Sequence, residues 1–241
     1  MWYEGEFKNG MMHGAGSIYF GDADKAGRLQ FDGQFEQNKR VVGAGRLVYQ
    51  SGDVFVGDLD AHFVPSGQGK KTYADGDVYE GGWMAGKANG IGVWQGGGMN
   101  YNGNWKDGDK EGEGTMVYQD KAEYKGEWLA NEQSGTGKLV YANGDCYSGS
   151  WLHGRQEGKG TLTYANGDVL EGTFKEDLPH GKDCKKVFAN NDVFTGEYDK
   201  GRRVNGTTKF ADQSVYAGEM KDGRAHGKGK LTFGPDNNPF L

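Results

Sequence analysis

The sequence of 241 residues has only two cysteines, Cys146 and Cys184, which form neither a CxxC pair nor a disulfide framework. Such sparse cysteine usage favours a reducing compartment. No apolar run approaches the roughly 18 residues of a membrane-spanning helix. The N-terminus, which opens on Met1-Trp2-Tyr3, has neither the basic region nor the apolar stretch of a signal peptide. We therefore predict a cytoplasmic chain.

An excess of basic residues is also missing. The chain has 28 Lys and Arg residues against 34 Asp and Glu residues, which gives a net charge of −6. Because nucleic-acid binding requires cations that neutralise phosphates, we exclude nucleic acid as a partner. The same charge weakens any general attraction to anionic lipids.

Catalytic motifs are absent as well. The sequence contains no phosphate-binding loop of the Gly-x-x-x-x-Gly-Lys type and no serine with glycine both two residues before and two residues after it. Three histidines, His13, His180 and His226, precede the glycine motif described below. The last two lie two repeats apart, roughly 19 Å at the usual strand spacing, which is too far for one metal ion. We predict no enzyme activity, no cofactor and no metal site.

Glycine and aromatic residues, by contrast, are abundant, with 45 Gly, 13 Tyr, 12 Phe and 6 Trp. The unit aromatic-x-Gly-x-aromatic recurs ten times at a spacing near 23 residues. Each copy is followed by a Gly-x-Gly motif and an aromatic residue four positions after the second glycine of that motif. In the seventh copy the first, second and third slots for large side chains are Tyr147, Trp151 and Tyr164. Such self-similarity indicates a repeat architecture.

The spacing within each copy is that of β-strands. Tyr147, Gly149 and Trp151 alternate with polar residues and therefore share one face of a strand. Asn-Gly and Asp-Gly pairs after the second and third slots favour primed hairpin turns. A glycine between two rings lets a large ring of a neighbouring strand lie over its backbone. The sequence predicts an all-β fold: an elongated, single-layer, twisted antiparallel β-meander of ten ~23-residue hairpin repeats over residues 1–233, followed by a C-terminal tail at 234–241.

These motifs resemble the MORN repeat, whose consensus runs Tyr-x-Gly-x-Trp, a turn, and then His-Gly-x-Gly-x-x-x-Tyr. The resemblance covers roughly residues 3–233 and is best between Tyr101 and Tyr164. It implies a twisted all-β rod without enzymatic activity. It also implies a scaffold of the cytoskeleton, cilium or flagellum, or a protein of membrane junctions.

Several places depart from the pattern. The fourth copy has Gly96-Gly97-Gly98 where an aromatic residue and a turn are expected, so a bend and a tolerated gap are both open there. The eighth copy has Leu170 in its first slot, and the spacing predicts that Asp183 replaces its second glycine. The tail, with Phe240 and Leu241, leaves the pattern and either caps the last strand or docks elsewhere.

We predict that the chain is a non-catalytic scaffold or adaptor in cytoskeletal or ciliary, flagellar or axonemal assemblies. A twisted single-layer sheet offers a concave strip of aromatic and acidic side chains to protein partners. The predicted partner-binding residues are the rings of the best-formed copies: Tyr101, Trp105, Tyr124, Trp128, Tyr147 and Trp151. A role confined to packing within the sheet is the alternative for each of them.

A second hypothesis is a phosphoinositide- or membrane-associated module. Lys185, Lys186, Arg202 and Arg203 fall in neighbouring copies and are predicted to form an anionic-ligand site, with solvated turn residues as the alternative. The meander also leaves two open sheet edges, which invite pairing with another strand. We therefore predict a homodimer or an end-to-end oligomer.

Overall fold

The computed structural model describes residues 1–235, so that Phe240 and Leu241 lie outside the described residues. The chain divides into two compact units, Met1–Gln119 and Asp120–Leu241. Each of them is a sheet built from strands that follow one another along the chain.

Eleven strands form the first unit. They are β1 (Trp2–Lys8), β2 (Met11–Tyr19), β3 (Arg28–Glu36), β4 (Lys39–Arg40), β5 (Gly43–Tyr49), β6 (Val54–Leu59), β7 (Pro65–Thr72), β8 (Val78–Met84), β9 (Lys87–Gly96), β10 (Met99–Lys106) and β11 (Asp109–Val117).

Eleven further strands form the second unit. They are β12 (Glu123–Leu129), β13 (Glu132–Val140), β14 (Cys146–Leu152), β15 (Arg155–Thr163), β16 (Val169–Lys175), β17 (Leu178–Pro179), β18 (Gly181–Val187), β19 (Val193–Asp199), β20 (Arg202–Lys209), β21 (Val215–Lys221) and β22 (Arg224–Thr232).

Within each unit, successive strands pair antiparallel, which confirms the predicted all-β antiparallel meander. Residues 1–235 contain no helix. The two-residue strands β4 and β17 are the exceptions to simple hairpin order, since β3 also pairs with β5 and β16 also pairs with β18. Both short strands lie where the second half of a repeat departs from the sequence pattern.

Each first-slot ring lies over a pair of glycines in facing strands. Gly149 of β14 pairs with Gly160 of β15, and a Cβ atom at Gly160 would overlap the hydroxyl oxygen and ring of Tyr147. The ring also covers Gly149, so the ring over that glycine comes from its own strand and not from a neighbouring one as predicted. Long side chains lean along a strand, and Tyr147 therefore reaches the residue two positions ahead.

The turns are of two kinds. After the second slot, Asp107 and Gly108 have φ angles of 52° and 95°, which confirms a primed two-residue turn. After the third slot, only Gly144 has a positive φ in the Ala-Asn-Gly-Asp turn, so the primed turn predicted there is wrong. That loop is wider, closed by a hydrogen bond that the Tyr141 amide donates to the Asp145 carbonyl oxygen at 2.8 Å.

Two departures from the repeat are now explained. At the fourth copy, β9 and β10 pair without a register shift from Met99–Gly96 to Trp105–Gly90, and a two-glycine turn joins them. The missing ring is therefore accommodated in a regular hairpin. At the eighth copy, Cys184 and not Asp183 occupies the second-glycine position, because Cys184 pairs with Gly196 as Gly160 pairs with Gly172.

Candidate functional site

The face of each sheet that carries the first- and second-slot side chains is called the ring face below. On it, the rings of the regular repeats touch one another in edge-to-face arrangements. In the second unit the ring centroid of Tyr147 lies 5.3 Å from that of Trp151, and the ring centroid of Trp151 lies 5.1 Å from that of Tyr124 in the preceding repeat. The indole Nε1 of Trp151 donates a hydrogen bond to the Gly137 carbonyl oxygen at 3.1 Å. The rings therefore connect consecutive repeats through packing and through a hydrogen bond to the backbone.

All six predicted partner-binding rings belong to these ladders and are largely covered. Tyr101, Tyr124 and Tyr147 are fully buried, and Trp128 and Trp151 are each 5% exposed, whereas Trp105 is half-buried. They therefore form the floor of the ring face, and a partner would meet only their edges. Their role in partner binding stays a prediction.

The buried tyrosine hydroxyls are satisfied by the backbone. Tyr147 donates to the Ser150 carbonyl oxygen at 3.1 Å, and Tyr79 and Tyr101 donate to the carbonyl oxygens three residues ahead in the same way. Burial raises the pKa of Tyr147 and Tyr79 to about 12. These hydroxyls are therefore neutral hydrogen-bond donors to the backbone at physiological pH.

The Lys186 side chain lies on the ring face of the second unit, between neighbouring rings and a carboxylate. Its Nζ lies 2.8 Å from the Asp168 carboxylate and 4.5 and 4.8 Å from the ring centroids of Tyr164 and Phe188. The Lys186 hydrogen bond lowers the pKa of Asp168 against the opposing effect of burial. Lys71 makes the same pair with Asp53 at 2.8 Å in the first unit. An internal partner therefore already neutralises Lys186.

Three of the four predicted anionic-ligand residues, Lys186, Arg202 and Arg203, line one cleft of about 250 Å³, whereas Lys185 does not. Lys185 alternates with Lys186 along β18 and is exposed on the opposite face of the sheet. Arg202 is exposed and lies 3.8 Å from Asp222. Arg203 lies on the ring face, donates a hydrogen bond from Nη2 to the Gly223 carbonyl oxygen at 2.8 Å, and stacks over Phe188. The anionic-ligand role stays a prediction, in which Lys185 and Arg202 are the exposed cations.

The ring face of the last four repeats contains two clefts. One has a volume of about 440 Å³ and is lined mainly by Phe188, Arg203, Thr208, Phe210, Tyr216 and Met220. The other, of about 250 Å³, adjoins it and shares Phe188, Arg203 and Gly223. We call the first the Thr208 cleft.

Sequence reasoning missed the Thr208 cleft, although its signal was present. Met220 stands in the second slot, where most copies have a ring, and Thr208 stands where Leu139 and Leu162 stand in earlier repeats of this unit. Two side chains smaller than their counterparts leave space over the sheet. Departures from a repeat thus locate the cleft better than the repeat itself.

The described part of the chain shows no cluster of three or more His, Cys, Asp or Glu side chains that could hold a metal ion. Within residues 1–235, no helix is long and apolar enough to cross a membrane.

Stacked antiparallel hairpins joined by ring ladders define a repeat protein. The family model of the MORN repeat matches residues 3–25, 64–78, 79–97, 101–122, 124–146, 147–169, 171–182 and 216–237. The chain belongs to the MORN-repeat family, whose repeat is a non-enzymatic protein- or membrane-binding unit.

No curated protein matches the chain. Among solved structures, the TCP10 domain of Danio rerio CPAP in complex with a STIL peptide is 12% identical, with a TM-score of 0.44 over 74% of this chain and 80% of that chain. The TCP domain of Drosophila melanogaster SAS-4 in complex with a proline-rich motif of Ana2 is also 12% identical, with a TM-score of 0.40 over 65% of this chain and 85% of that chain. Scores this low carry no argument about this chain.

Proposed function

We propose that the chain is a non-catalytic scaffold or adaptor of cytoskeletal or ciliary, flagellar or axonemal assemblies that binds protein partners along its ring face. The observation that carries the proposal is the ring face of the second unit, where covered rings form a floor beneath open clefts. Aromatic floors with polar rims suit protein partners, because apolar burial supplies affinity and the rim supplies specificity.

Fractionation of flagellated or ciliated cells that express the tagged 241-residue chain tests this proposal. We expect the chain to stay in the detergent-insoluble cytoskeletal fraction. Complete release by non-ionic detergent would contradict the proposed location. A chain that stays only until a phosphoinositide-containing membrane is removed would favour the lipid hypothesis instead.

Binding to phosphoinositides is the second candidate, supported by the exposed side chains of Lys185 and Arg202. The net charge of −6 and the placement of Lys185 and Lys186 on opposite faces argue against a strong site. Flotation with phosphoinositide vesicles tests it. Neutralising Lys185, Lys186, Arg202 and Arg203 should abolish binding if this hypothesis holds, whereas Lys138→Ala, at an exposed position outside the patch, should not.

Self-association is the further partner proposal, and the two sheet edges carry it. Among residues 1–235, β1 pairs with β2 alone and β22 pairs with β21 alone. Strand β22 has Gly227, Gly229 and Leu231 on its open edge. They have the same spacing as Gly14, Gly16 and Ile18, the residues of β2 that pair with β3. Strand β1 carries the matching residues of a following repeat.

An end-to-end pair would therefore place Phe7, Gly5 and Tyr3 of a second copy opposite Gly227, Gly229 and Leu231. Phe7 is 63% exposed, and in this register its ring would pack on Tyr216 as Phe174 packs on Tyr147. Exposed strand edges pair readily with other strands, so a complementary register favours a second copy of this chain.

A further inference from the structure

The Thr208 cleft contains a polar group without a partner. Thr208 is 4% exposed, and its Oγ1 has no hydrogen-bond partner in the described part of the chain. Its register between Phe194 and Tyr216 places it on the ring face, where it lines the cleft. A buried hydroxyl without a partner costs free energy, which a bound polar group would recover.

The cleft also contains a cation that no carboxylate neutralises. Arg203 is half-buried, and its recorded contacts in the described residues are the Gly223 carbonyl oxygen and the rings of Phe188 and Phe194. Lys186, the neighbouring ring-face cation, is in contrast paired with Asp168. Arg203 therefore keeps unused charge and donor capacity beside the cleft.

Only one acidic side chain lines the cleft, and its oxygens are engaged. Asp192 accepts hydrogen bonds from the Ala211 amide at 2.9 Å and from Asn190 Nδ2 at 3.0 Å. Arg224 adds an exposed cation to the same lining. The walls are therefore cationic, and the floor is apolar.

We propose that the Thr208 cleft binds an acidic, extended segment of a protein partner, with a large apolar side chain in the cleft, a backbone polar group of the segment at the Thr208 hydroxyl and a neighbouring carboxylate at Arg203. This inference rests on the proposed function and gives it a location and a chemistry. The cleft opens into the adjoining one through Phe188, Arg203 and Gly223, and such a continuous groove suits an extended chain better than a compact molecule. Guanidinium groups bind carboxylates through paired hydrogen bonds, which makes a carboxylate the fitting counter-group.

The test uses the full chain and a fluorescein-labelled octapeptide that carries one Phe flanked by Glu residues. Two matched peptides replace Glu by Gln or Phe by Ala. We expect the chain to bind the first peptide at least tenfold more tightly than either matched peptide, with an affinity that falls as salt rises. Equal binding of all three peptides would overturn the inference.

Variants then locate the site. Arg203→Gln removes the cation and should weaken binding about tenfold. The fold should accept this change, because Gln156 and Gln133 occupy the same register position in two other repeats. Arg155→Gln, at an exposed position outside the cleft, is the matched control and should bind as the unaltered chain does. Loss in both variants would overturn the assignment of Arg203.

Thr208→Leu fills the cleft with the residue that two earlier repeats have at this position, Leu139 and Leu162, and should abolish binding without loss of thermal stability. Thr208→Val keeps the shape, removes the hydroxyl and should weaken binding several-fold. If Thr208 is only structural, the valine variant would bind as tightly as the unaltered chain.

Other occupants would be recognised by the same assay. Tighter binding of a peptide that copies residues 236–241 would assign the cleft to this chain's own C-terminal segment and overturn the inference. Competition by anionic vesicles that depends on Arg203 would assign it to lipid, with the same consequence. Absence of peptide binding by a chain that still stays in the cytoskeletal fraction would remove this inference alone, whereas absence of both would remove the proposed function too.

Discussion

At the scale of single residues, the eighth repeat shows how the ladder tolerates change. Leu170 replaces the first-slot ring, and Cys184 replaces the glycine that such a ring would cover. Both are buried, at 1% exposure each, and a Cβ atom at Gly172 would overlap the Cys184 Sγ. Leu170 is smaller than the ring it replaces, and Cys184 is larger than the glycine it replaces, so together they fill the same space. The two departures from the repeat are therefore coupled.

This coupling predicts a rescue. Leu170→Tyr alone should lower the free energy of unfolding by about 2 kcal/mol, because its ring would meet the Cys184 side chain. The additional change Cys184→Gly should restore most of that loss, although Cys184→Gly alone leaves a cavity and is also destabilising. Urea denaturation of the four chains measures the coupling. Additive losses in the double variant would contradict the exchange.

The glycines beneath the rings give a second prediction. Gly160→Ala should be strongly destabilising, by about 2–4 kcal/mol, because the added methyl overlaps the Tyr147 ring. Gly154→Ala is the matched control, since no atom lies near its Cβ position and its cost comes only from a φ of 75°. Thermal unfolding of both variants compares them. A larger loss for Gly154→Ala would be contrary to this account.

Residue-level prediction from the sequence succeeded where a pattern repeats and failed where it breaks. The glycine and ring positions followed from the spacing, because each repeat restates the same packing. The position of Cys184 did not, since a register shift within β18, between Gly181 and Cys184, adds one residue to the repeat. Periodicity alone could not show whether Tyr147 and Trp151 are buried or exposed, because the rings lie on one face of the sheet in either case.

At the scale of strands and turns, pairs of charged side chains connect consecutive hairpins. Asp168 stands in the turn before β16, whereas Lys186 belongs to β18. The Asp168 carboxylate also accepts a hydrogen bond from the Ala189 amide at 3.0 Å in the following turn. The sequence did not predict this link, because residues 18 and 21 positions apart meet only once the hairpins have stacked.

A pH dependence follows from this pair. The hydrogen bond from Lys186 lowers the folded-state pKa of Asp168. The pair's contribution to the free energy of unfolding is therefore complete above the pKa of an unfolded Asp, about 4, and is lost as the pH falls through the lower folded-state pKa. Lys186→Leu should therefore cost about 1–2 kcal/mol at pH 7 and less at pH 3. Urea denaturation at both values measures the difference.

The neighbouring Lys185→Leu is the control for that experiment, because Lys185 is exposed on the opposite face. Its effect on the free energy of unfolding should be small and should not change with pH. A pH-independent cost of Lys186→Leu would show that packing between Tyr164 and Phe188, and not the ion pair, explains the stability.

At the scale of the whole molecule, the period near 23 residues was sufficient to predict the fold class, because nearest-neighbour stacking repeats one local solution. The functional surface was harder to predict. The sequence pointed to its most regular copies, whose rings turn out to be covered, whereas the clefts lie among the irregular last repeats. The regular repeats pack into a continuous sheet, whereas the irregular repeats leave clefts that a ligand can enter.

Self-association is the prediction at this scale. The weight-average mass in sedimentation equilibrium should rise with concentration, and Phe7→Glu should prevent the rise by placing a charge in the proposed contact between edges. Leu152→Glu, at another exposed apolar position away from both edges, should associate as the unaltered chain does. A strict monomer at high concentration would remove the edge proposal.

The central claim is that protein partners bind the ring face. The most direct measurement places a photo-activated benzoyl-phenylalanine at Tyr164, which lines a cleft on the ring face, or at Thr163, its exposed neighbour on the opposite face. After irradiation of cells that contain either chain, we predict protein adducts from position 164 and few or none from position 163. Adducts from position 163 alone, or equal yields from both positions, would contradict the account.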